Sequence, residues 1–552
     1  MSGSEALAHA GRALLMAGGE ATKNFEWIVV IGGFLAFFAA FGIGANDVAN
    51  AFATSVGSGA LSIKSAVVLA GVFEFCGAMF MGGHVVETMR KGVTDQKCFN
   101  GKSGSHDPVL LMYGCLCVIF AVGVWLVVAS ALEMPVSTTH SCVGGLIGMT
   151  LVARGDGCVV WSKKSDEFPY VKGVAAIVVS WVLSPVISGC FSFAMFLILR
   201  TLVMRSENSF SRVSYVFPVL FGATLIINVF FIVYKGSPHL GLKNTPVGTA
   251  CAAAFGVGGG AGILSYFLIS PYIVRRTEEL YAQEQAEQAE RGSGKKVEET
   301  VVRQPREYPR GVFGAPTRVW YAIQDHLETS LAVKASDLIE EDMAVNAIHD
   351  NAEKFDEKTE LSMRYLQILT ACCDAFAHGA NDVANSIGPF ATIVLVYKAG
   401  KVSTKKKDPM GDDAYWILSL GALGIVVGLA LYGYRILHAL GTKLAKLTPS
   451  RGICIELGAA CVIILGSRMG WPLSTTHCQV GATMGVAMLE GRKGINWFIL
   501  AKTVSGWIIT LVVVGFSTSA FFAQGAFAPM VHYPCYIAAT AKDSISEALC
   551  TL

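Results

Sequence analysis

Charge is scarce in this 552-residue chain: Asp, Glu, Lys and Arg make up 15% of it, against roughly 25% in soluble proteins. That shortfall argues against a soluble globular domain. No long basic tract is present and the formal net charge is only +2, which sets nucleic acid aside as a partner. No cysteine pair stands in a CxxC metal pattern; Cys115 and Cys117 have CxC spacing with no His or second pair nearby. Most of the 15 cysteines, among them Cys190, Cys372, Cys373 and Cys461, sit inside apolar runs and read as small buried hydrophobes. No Asn-x-Ser/Thr acceptor is present, so glycosylation marks no topology. The first 23 residues hold one short apolar patch, Ala13–Ala17, too short for a signal-peptide core and without a basic n-region. They read as a tail and not as a signal peptide.

What the chain has is apolar length. Hydrophobic residues make up 53% of it and 59 residues are glycine, the composition of closely packed membrane helices. Candidate spans run near residues 25–42, 65–85, 109–132, 139–153, 171–199, 213–234 and 249–274, then 362–377, 387–397, 414–440, 452–467, 476–489 and 497–523. The span at 139–153 is short for a full crossing. The expected division is a tail (1–23), a first membrane repeat with additional helices (24–274), a hydrophilic loop on the cytoplasmic side (275–361), a second membrane repeat (362–525) and a C-terminal tail (526–552). The loop is expected to be helical near Glu278–Arg291.

Self-similarity is the strongest signal. Gly44-Ala45-Asn46-Asp47-Val48-Ala49-Asn50 recurs unchanged as Gly379-Ala380-Asn381-Asp382-Val383-Ala384-Asn385, and Pro135-Val136-Ser137-Thr138-Thr139-His140 recurs as Pro472-Leu473-Ser474-Thr475-Thr476-His477. The offsets are 335 and 337 residues. Seven candidate spans separate equivalent points, an odd number, so the second repeat is expected upside down relative to the first. The fold class is therefore all-α: a polytopic membrane protein of about 12 helices, with re-entrant or broken segments and two inverted repeats. That is the architecture of secondary transporters, whose site lies at the midplane between repeats.

The repeated motifs carry chemistry. An Asp inside a span must face protein, water or an ion. Asn46, Asp47 and Asn50, with Asn381, Asp382 and Asn385, offer amide and carboxylate oxygens suited to a hard cation such as Na⁺. The glycine before each set permits a helix break whose freed carbonyls add ligands. A plain Asn/Asp network holding such a break is the competing reading. Pro-x-Ser-Thr-Thr reads as a helix start: proline fits the first turn and Ser/Thr cap it. Its free N–H groups and the hydroxyls of Ser137, Thr138, Thr139, Ser474, Thr475 and Thr476 suit an oxyanion such as phosphate; simple capping is the bland alternative. His140 and His477 read first as packing residues. Glu74 and Glu456 lie inside apolar runs and are candidates for cation or proton coupling, or else structural partners of Arg451 or Arg468. Glu133 has no counterpart in the second repeat, where Gly470 and Trp471 stand.

On these paired motifs, together with Thr448-Pro449-Ser450-Arg451-Gly452, Glu456 and Trp181-Val182-Leu183-Ser184-Pro185, the chain resembles the PiT family of inorganic phosphate transporters. The resemblance covers both apolar blocks. It implies a phosphate symporter of the plasma membrane, coupled to Na⁺ or in some cases H⁺, embedded in the lipid bilayer, often dimeric, working by alternating access and requiring no cofactor. It implies phosphate binding by the six Ser/Thr residues with Asp47 and Asp382, cation binding by the two Asn/Asp sets, and coupling roles for Glu74 and Glu456. Unlike the first copy, the second carries Asp374 and His378, where Ala39 and Ile43 stand in the first; this asymmetry is where proton sensitivity would enter. Another oxyanion such as sulfate, or a phosphate sensor, remains open. An enzyme does not fit, for want of a metal-ligand cluster or a nucleophile–base pair.

Overall fold

The computed structural model describes residues 22–100, 107–165, 170–234, 242, 245–292, 343–403, 410–434, 436–437 and 444–527. The two tails lie outside these residues apart from 22–23 and 526–527. So does most of the hydrophilic segment.

Thirteen helices build the described fold. The first is α1, Glu26–Gly57. It is followed by α2 (Ile63–Lys91), α3 (Asp107–Ala131), α4 (Thr138–Arg154), α5 (Val174–Met204) and α6 (Ser209–Val233). Helix α7 consists of Val247–Ala254, a wider turn at Phe255–Gly259, and Gly260–Gly292. Then come α8 (Met343–Asn351), α9 (Glu357–Ala399), α10 (Asp413–Tyr432), α11 (Pro449–Arg468), α12 (Thr475–Ala487) and α13 (Trp497–Phe527). A two-residue antiparallel ribbon, β1 (Lys163–Lys164) with β2 (Val171–Lys172), is the single sheet among them. Nine of the described helices are long and apolar enough to cross a membrane. The wide apolar surfaces of α5, α6 and α7 stay exposed, for example Val182, Val219 and Phe267, as a lipid-facing side requires.

Contacts between helix ends sort them onto two sides. Cys98 and Cys158 form a disulfide, Asp107 pairs with Arg154, and Val174 N–H donates to the Val160 carbonyl. These place the ends of α2 and α4 beside the starts of α3 and α5. On the other side Arg205 pairs with Glu353, Glu360 accepts from Ser450, and Lys358 pairs with Glu278 of α7. Helix α1 starts on the disulfide side, where Thr22 donates to the Tyr397 carbonyl, and ends beside Gln367, which accepts from Ser58. Helix α9 runs the opposite way. The repeats are therefore inverted, as the odd span count requires.

The parity holds for a specific reason. Segments 109–132 and 139–153 are two legs of one hairpin, α3 and α4, returning to the disulfide side; α11 and α12 form its mirror from the other side. An ion pair closes the open end of each: Arg154 with Asp107, and Arg451 with Glu490 at 2.6 Å.

Three expectations are corrected. The spans at 362–377 and 387–397 are one 43-residue helix, α9, started by Asp356, whose Oδ2 accepts from Thr359 N–H, and stopped at left-handed Gly400. Its polar residues lower the hydropathy because they face protein and not lipid. The repeated Gly does not unwind either helix: the first copy widens into one π-turn at Gly44–Val48, and the second stays α-helical. Nor do all cysteines behave as buried hydrophobes: Cys98 and Cys158 are bridged, and Cys190 is exposed.

Glycine matters most where helices cross. A side chain on Gly44 would strike the backbone of Ile425, and one on Gly428 the backbone of Phe41; likewise Gly379 against Glu74, and Gly77 against Phe376. These two crossings, α1 with α10 and α9 with α2, each join a helix of one repeat to a helix of the other and are related by the repeat symmetry. They also show that Glu74 and Ile425 occupy equivalent positions.

Candidate functional site

Each Pro-x-Ser-Thr-Thr motif starts the returning leg of a hairpin. Ser137 Oγ accepts from His140 N–H at 3.3 Å and Ser474 Oγ accepts from His477 N–H at 3.2 Å, so both are N-caps. The two helix starts meet head to head in the interior. Thr139 Oγ1 donates to the Leu473 carbonyl at 2.9 Å, and Thr476 Oγ1 to the Val136 carbonyl at 3.3 Å. All six Ser/Thr residues are buried. Two positive helix ends thus share one enclosed space.

The Asn/Asp motifs line the same space. Asn46 donates to Ser130 Oγ and to the Met134 carbonyl, and its Oδ1 accepts from Val136 N–H. Asn381 donates to the Leu473 carbonyl and accepts from Ser467. Each Asn therefore holds the turn of the neighbouring hairpin. Asp47 accepts from Thr138 N–H at 3.3 Å and from Thr476 Oγ1 at 3.1 Å. Asp382 accepts from Thr475 Oγ1 at 2.5 Å and from Asn381 and Asn385. Asn385 also donates to Thr138 and Thr139 Oγ1, leaving its Oδ1 buried without a donor. Asn50 lines a small cavity with Thr54, Gln479 and Thr483.

The glutamates take partners that sequence reading did not assign. Glu74 Oε2 lies 3.0 Å from His378 Nδ1, and His378 Nε2 lies 2.9 Å from Asp382 Oδ2. One imidazole thus links the α2 glutamate to the Asn/Asp motif. Asp47, His378 and Asp382 are close enough to hold one metal ion. Glu456 sits among four donors: Thr54, Ser55 and Thr370 hydroxyls at 2.6 Å and Gln367 Nε2 at 3.1 Å. Neither Arg451 nor Arg468 pairs with these glutamates. Arg451 serves Glu490 and Thr448, and Arg468 reaches His84. Arg451 starts α11 and Arg468 ends it, so both lie about a helical turn or more from Glu456 along the same helix.

His140 and His477 behave as packed rings. Their centroids are 4.7 Å apart, and each packs on a tryptophan at 3.6 Å, His140 stacked on Trp181 and His477 tilted by 30° against Trp507. Sequence reading missed Ser130, Ser467, Gln367, Thr370 and Gln479. Their signal was present, as single polar residues in apolar helices, but nothing local distinguishes them from the Ser and Thr that bond only their own helix.

The phosphate transporter family model matches residues 43–518. The chain is 29% identical to the phosphate-repressible phosphate permease of Neurospora crassa over 89% of this chain and 96% of that protein. It is 28% identical to the rat (Rattus norvegicus) sodium-dependent phosphate transporter 1 over 90% and 95%. A solved structure titled as the sodium-dependent phosphate transporter superposes with a TM-score of 0.66 at 29% identity, covering 90% of this chain and 98% of that one. Head-to-head hairpins, paired Asn/Asp helices and a match across nearly the whole described chain lead to one conclusion: the chain is a multi-pass membrane protein belonging to the phosphate transporter family, the PiT family of its motifs.

Proposed function

We propose that this protein is a symporter that carries inorganic phosphate together with Na⁺, driven by the cation gradient. The observation that carries the reading is the convergence of two helix starts on two carboxylates, Asp47 and Asp382, in one buried space. Helix ends and hydroxyls suit phosphate; carboxylates repel it. Both fit one site only if cations bind between them. Five carboxylates, Asp47, Glu74, Asp374, Asp382 and Glu456, are each at most 2% exposed. Among the described residues His378 is the one basic side chain within ion-pair distance of any of them. Uncompensated buried charge of that size is prohibitive, which supports neutralisation by bound cations or by protons.

In this reading cations bind Asn46, Asp47, Asn50, Asn381, Asp382 and Asn385 first. Phosphate then takes the donors of Ser137, Thr138, Thr139, Ser474, Thr475 and Thr476, with Asp47 and Asp382 holding the cations against it. Glu74 and Glu456 couple cation binding to movement of the hairpins. The disulfide side faces the oxidising exterior of the plasma membrane, and the side of Glu353 and Glu360 faces the cytoplasm. A second reading, H⁺ coupling, is favoured by His378 standing between Glu74 and Asp382.

The test is phosphate uptake into liposomes under an inward Na⁺ gradient, an inward H⁺ gradient, or neither. Na⁺-driven uptake, lost in Asp47→Asn and Asp382→Asn, is expected. Uptake driven by H⁺ alone would replace Na⁺ with H⁺. Uptake of sulfate in preference to phosphate would overturn the cargo.

A further inference from the structure

Trp181-Val182-Leu183-Ser184-Pro185 lies outside both the cation and the phosphate sets. Pro185 stands inside α5. Proline has no N–H, so the carbonyl four residues earlier, that of Trp181, receives no bond from its own helix. A carbonyl freed at membrane depth needs another donor. His477 of α12 supplies it: its Nδ1 lies 2.8 Å from the Trp181 oxygen. A carbonyl only accepts, so Nδ1 carries the proton and donates. His477 Nε2 is buried without a partner, which makes this bond the polar anchor of the ring. Further along α5, Ser188 Oγ donates to the Cys478 carbonyl at 2.8 Å.

The first repeat lacks this bond, and its sequence says why. Helix α4 rests on α13 as α12 rests on α5. A side chain on Gly144 would strike the Leu511 backbone, and one on Gly148 the Gly515 backbone; in the same way Gly481 faces Pro185 and Gly485 faces Gly189. Trp507 and Leu511 are therefore the equivalents of Trp181 and Pro185. Leu511 keeps its N–H, so α13 satisfies the Trp507 carbonyl itself. His140 Nδ1, the equivalent of the donating nitrogen of His477, is buried without a partner. Val514 stands in place of Ser188 and has no hydroxyl. The two histidines occupy like positions, but only His477 is tied to the helix beneath it.

His477 also closes the cap of α12, since its N–H donates to Ser474 Oγ. Ser474, Thr475 and Thr476 thus lie in the single turn that ends at the tied residue. Thr475 reaches Asp382, and Thr476 reaches Asp47 and the Val136 carbonyl. We propose that His477 is a positioning residue: its bond to the carbonyl freed by Pro185 seats the start of α12 on α5, and so sets where the second Ser-Thr-Thr motif presents its donors to phosphate. The role rests on the phosphate-symport reading for its cargo. His140 has no such role, so the two hairpins are alike in shape and unlike in how they are seated.

The experiment measures the Kd of radiolabelled phosphate for the purified full-length protein at saturating Na⁺, with uptake into liposomes at saturating phosphate measured separately. His477→Phe keeps a ring and removes the donor. It is expected to weaken phosphate binding roughly tenfold, with maximal uptake held within about twofold. His477→Asn, whose amide starts from the same Cγ, is expected to restore binding. His140→Phe should shift the Kd by less than about twofold. Pro185→Leu returns the N–H that Leu511 has, so it should weaken binding as His477→Phe does; in that background His477→Phe should cost nothing further. Equal losses in His140→Phe and His477→Phe, no recovery in His477→Asn, or a full His477→Phe loss in the Pro185→Leu background each overturns the proposal and leaves the ring a packing role. Should His477→Phe fail to fold, Pro185→Leu decides: an unchanged Kd overturns the role. Wild-type protein that binds phosphate, weakens in His477→Phe, recovers in His477→Asn and yet carries none leaves the role standing and overturns the symport reading. Wild-type protein that neither binds nor carries phosphate overturns both.

Discussion

Where α2 crosses α9, and where α10 crosses α1, paired glycines bring the backbones into contact in the same way. What lies beside those glycines differs completely. The α9 crossing carries His378 against Glu74; the α1 crossing carries Ile43 and Ile425, both buried. One turn away, Asp374 faces Gln479 where the other repeat has Ala39 and Cys142, and Glu456 stands where the other has Ile119. The repeats share a backbone and a motif, but only one of the two symmetry-related crossings is charged, with Glu74 from the first repeat against His378 from the second. Geometry of the hairpin starts is thus a property of both repeats, whereas the buried ion pairs gather at one of the two crossings.

The largest expected effect comes from forcing the charged crossing to resemble the apolar one. His378→Ile alone leaves Glu74 buried without a counter-charge, a loss of about 3–5 kcal/mol. Replacing both members, His378→Ile with Glu74→Ile, should recover most of that stability, because Ile43 and Ile425 show that the crossing accepts apolar side chains. Cation-driven phosphate uptake should be lost in both variants. Unfolding in mixed detergent micelles measures the stabilities. A double variant no more stable than His378→Ile would show that the two crossings are not interchangeable in packing.

A smaller effect is expected at the Glu456 cage. Thr370→Val removes one of its four donors and should cost about 1–3 kcal/mol. The equivalent position in the first repeat is Leu35, which has no such role. In a Glu456→Leu background the Thr370→Val cost should vanish, as a double-mutant cycle would show. A cost that persists there would mean that Thr370 acts on packing and not on the carboxylate.

The pseudo-symmetric part of this molecule was legible in the sequence; of the asymmetric part, Asp374 and His378 stood out as residues but their partners did not. Identical motifs at offsets of 335 and 337 announce two copies, and an odd span count announces inversion. Pairing across the interface leaves no local trace: Glu74 meets His378 over 304 residues, and Thr54 meets Glu456 over 402. The hydropathy that revealed most spans also divided α9 in two, because the residues most central to the site are the most polar in the bilayer. The disulfide was hidden for a related reason, since Cys98 and Cys158 lie in loops between apolar helices and carry no spacing signal.

The hairpin turns offer a milder contrast. Glu133 has φ 52° and Gly470 has φ 66° at equivalent turns. A residue with a Cβ is strained in this left-handed region and glycine is not. Glu133→Gly should therefore stabilise the protein by about 1 kcal/mol at wild-type uptake, and Gly470→Ala should destabilise it by a similar amount. A loss of stability in Glu133→Gly would mean that the glutamate side chain does more for the fold than its backbone strain costs.

The weakest contrast lies between the two faces. The disulfide face has a covalent link, insensitive to salt and to mild acid, beside its Asp107–Arg154 ion pair. Among the described residues the other face has ion pairs and no covalent link: Glu353, between α8 and α9, pairs with Arg205, accepts weaker support from Arg200, and offers its carbonyl to Arg451. The Arg205 hydrogen bond holds the Glu353 carboxyl below the ordinary glutamate range. A carboxyl depressed in the folded state stabilises above its unfolded pKa of about 4.3, and that contribution is lost as pH falls through the lower folded value. Because the pair is largely open to solvent, its effect is small and screened. Glu353→Gln should lower the melting temperature by on the order of a degree at pH 7 in low salt. The gap should close in high salt, and it should close again in acid, where the wild type has lost the same charge. A gap that survives both would mean that the Glu353 side chain acts through packing or neutral hydrogen bonds and not through its charge, since the substitution leaves its backbone contacts with Arg451 and Glu490 in place.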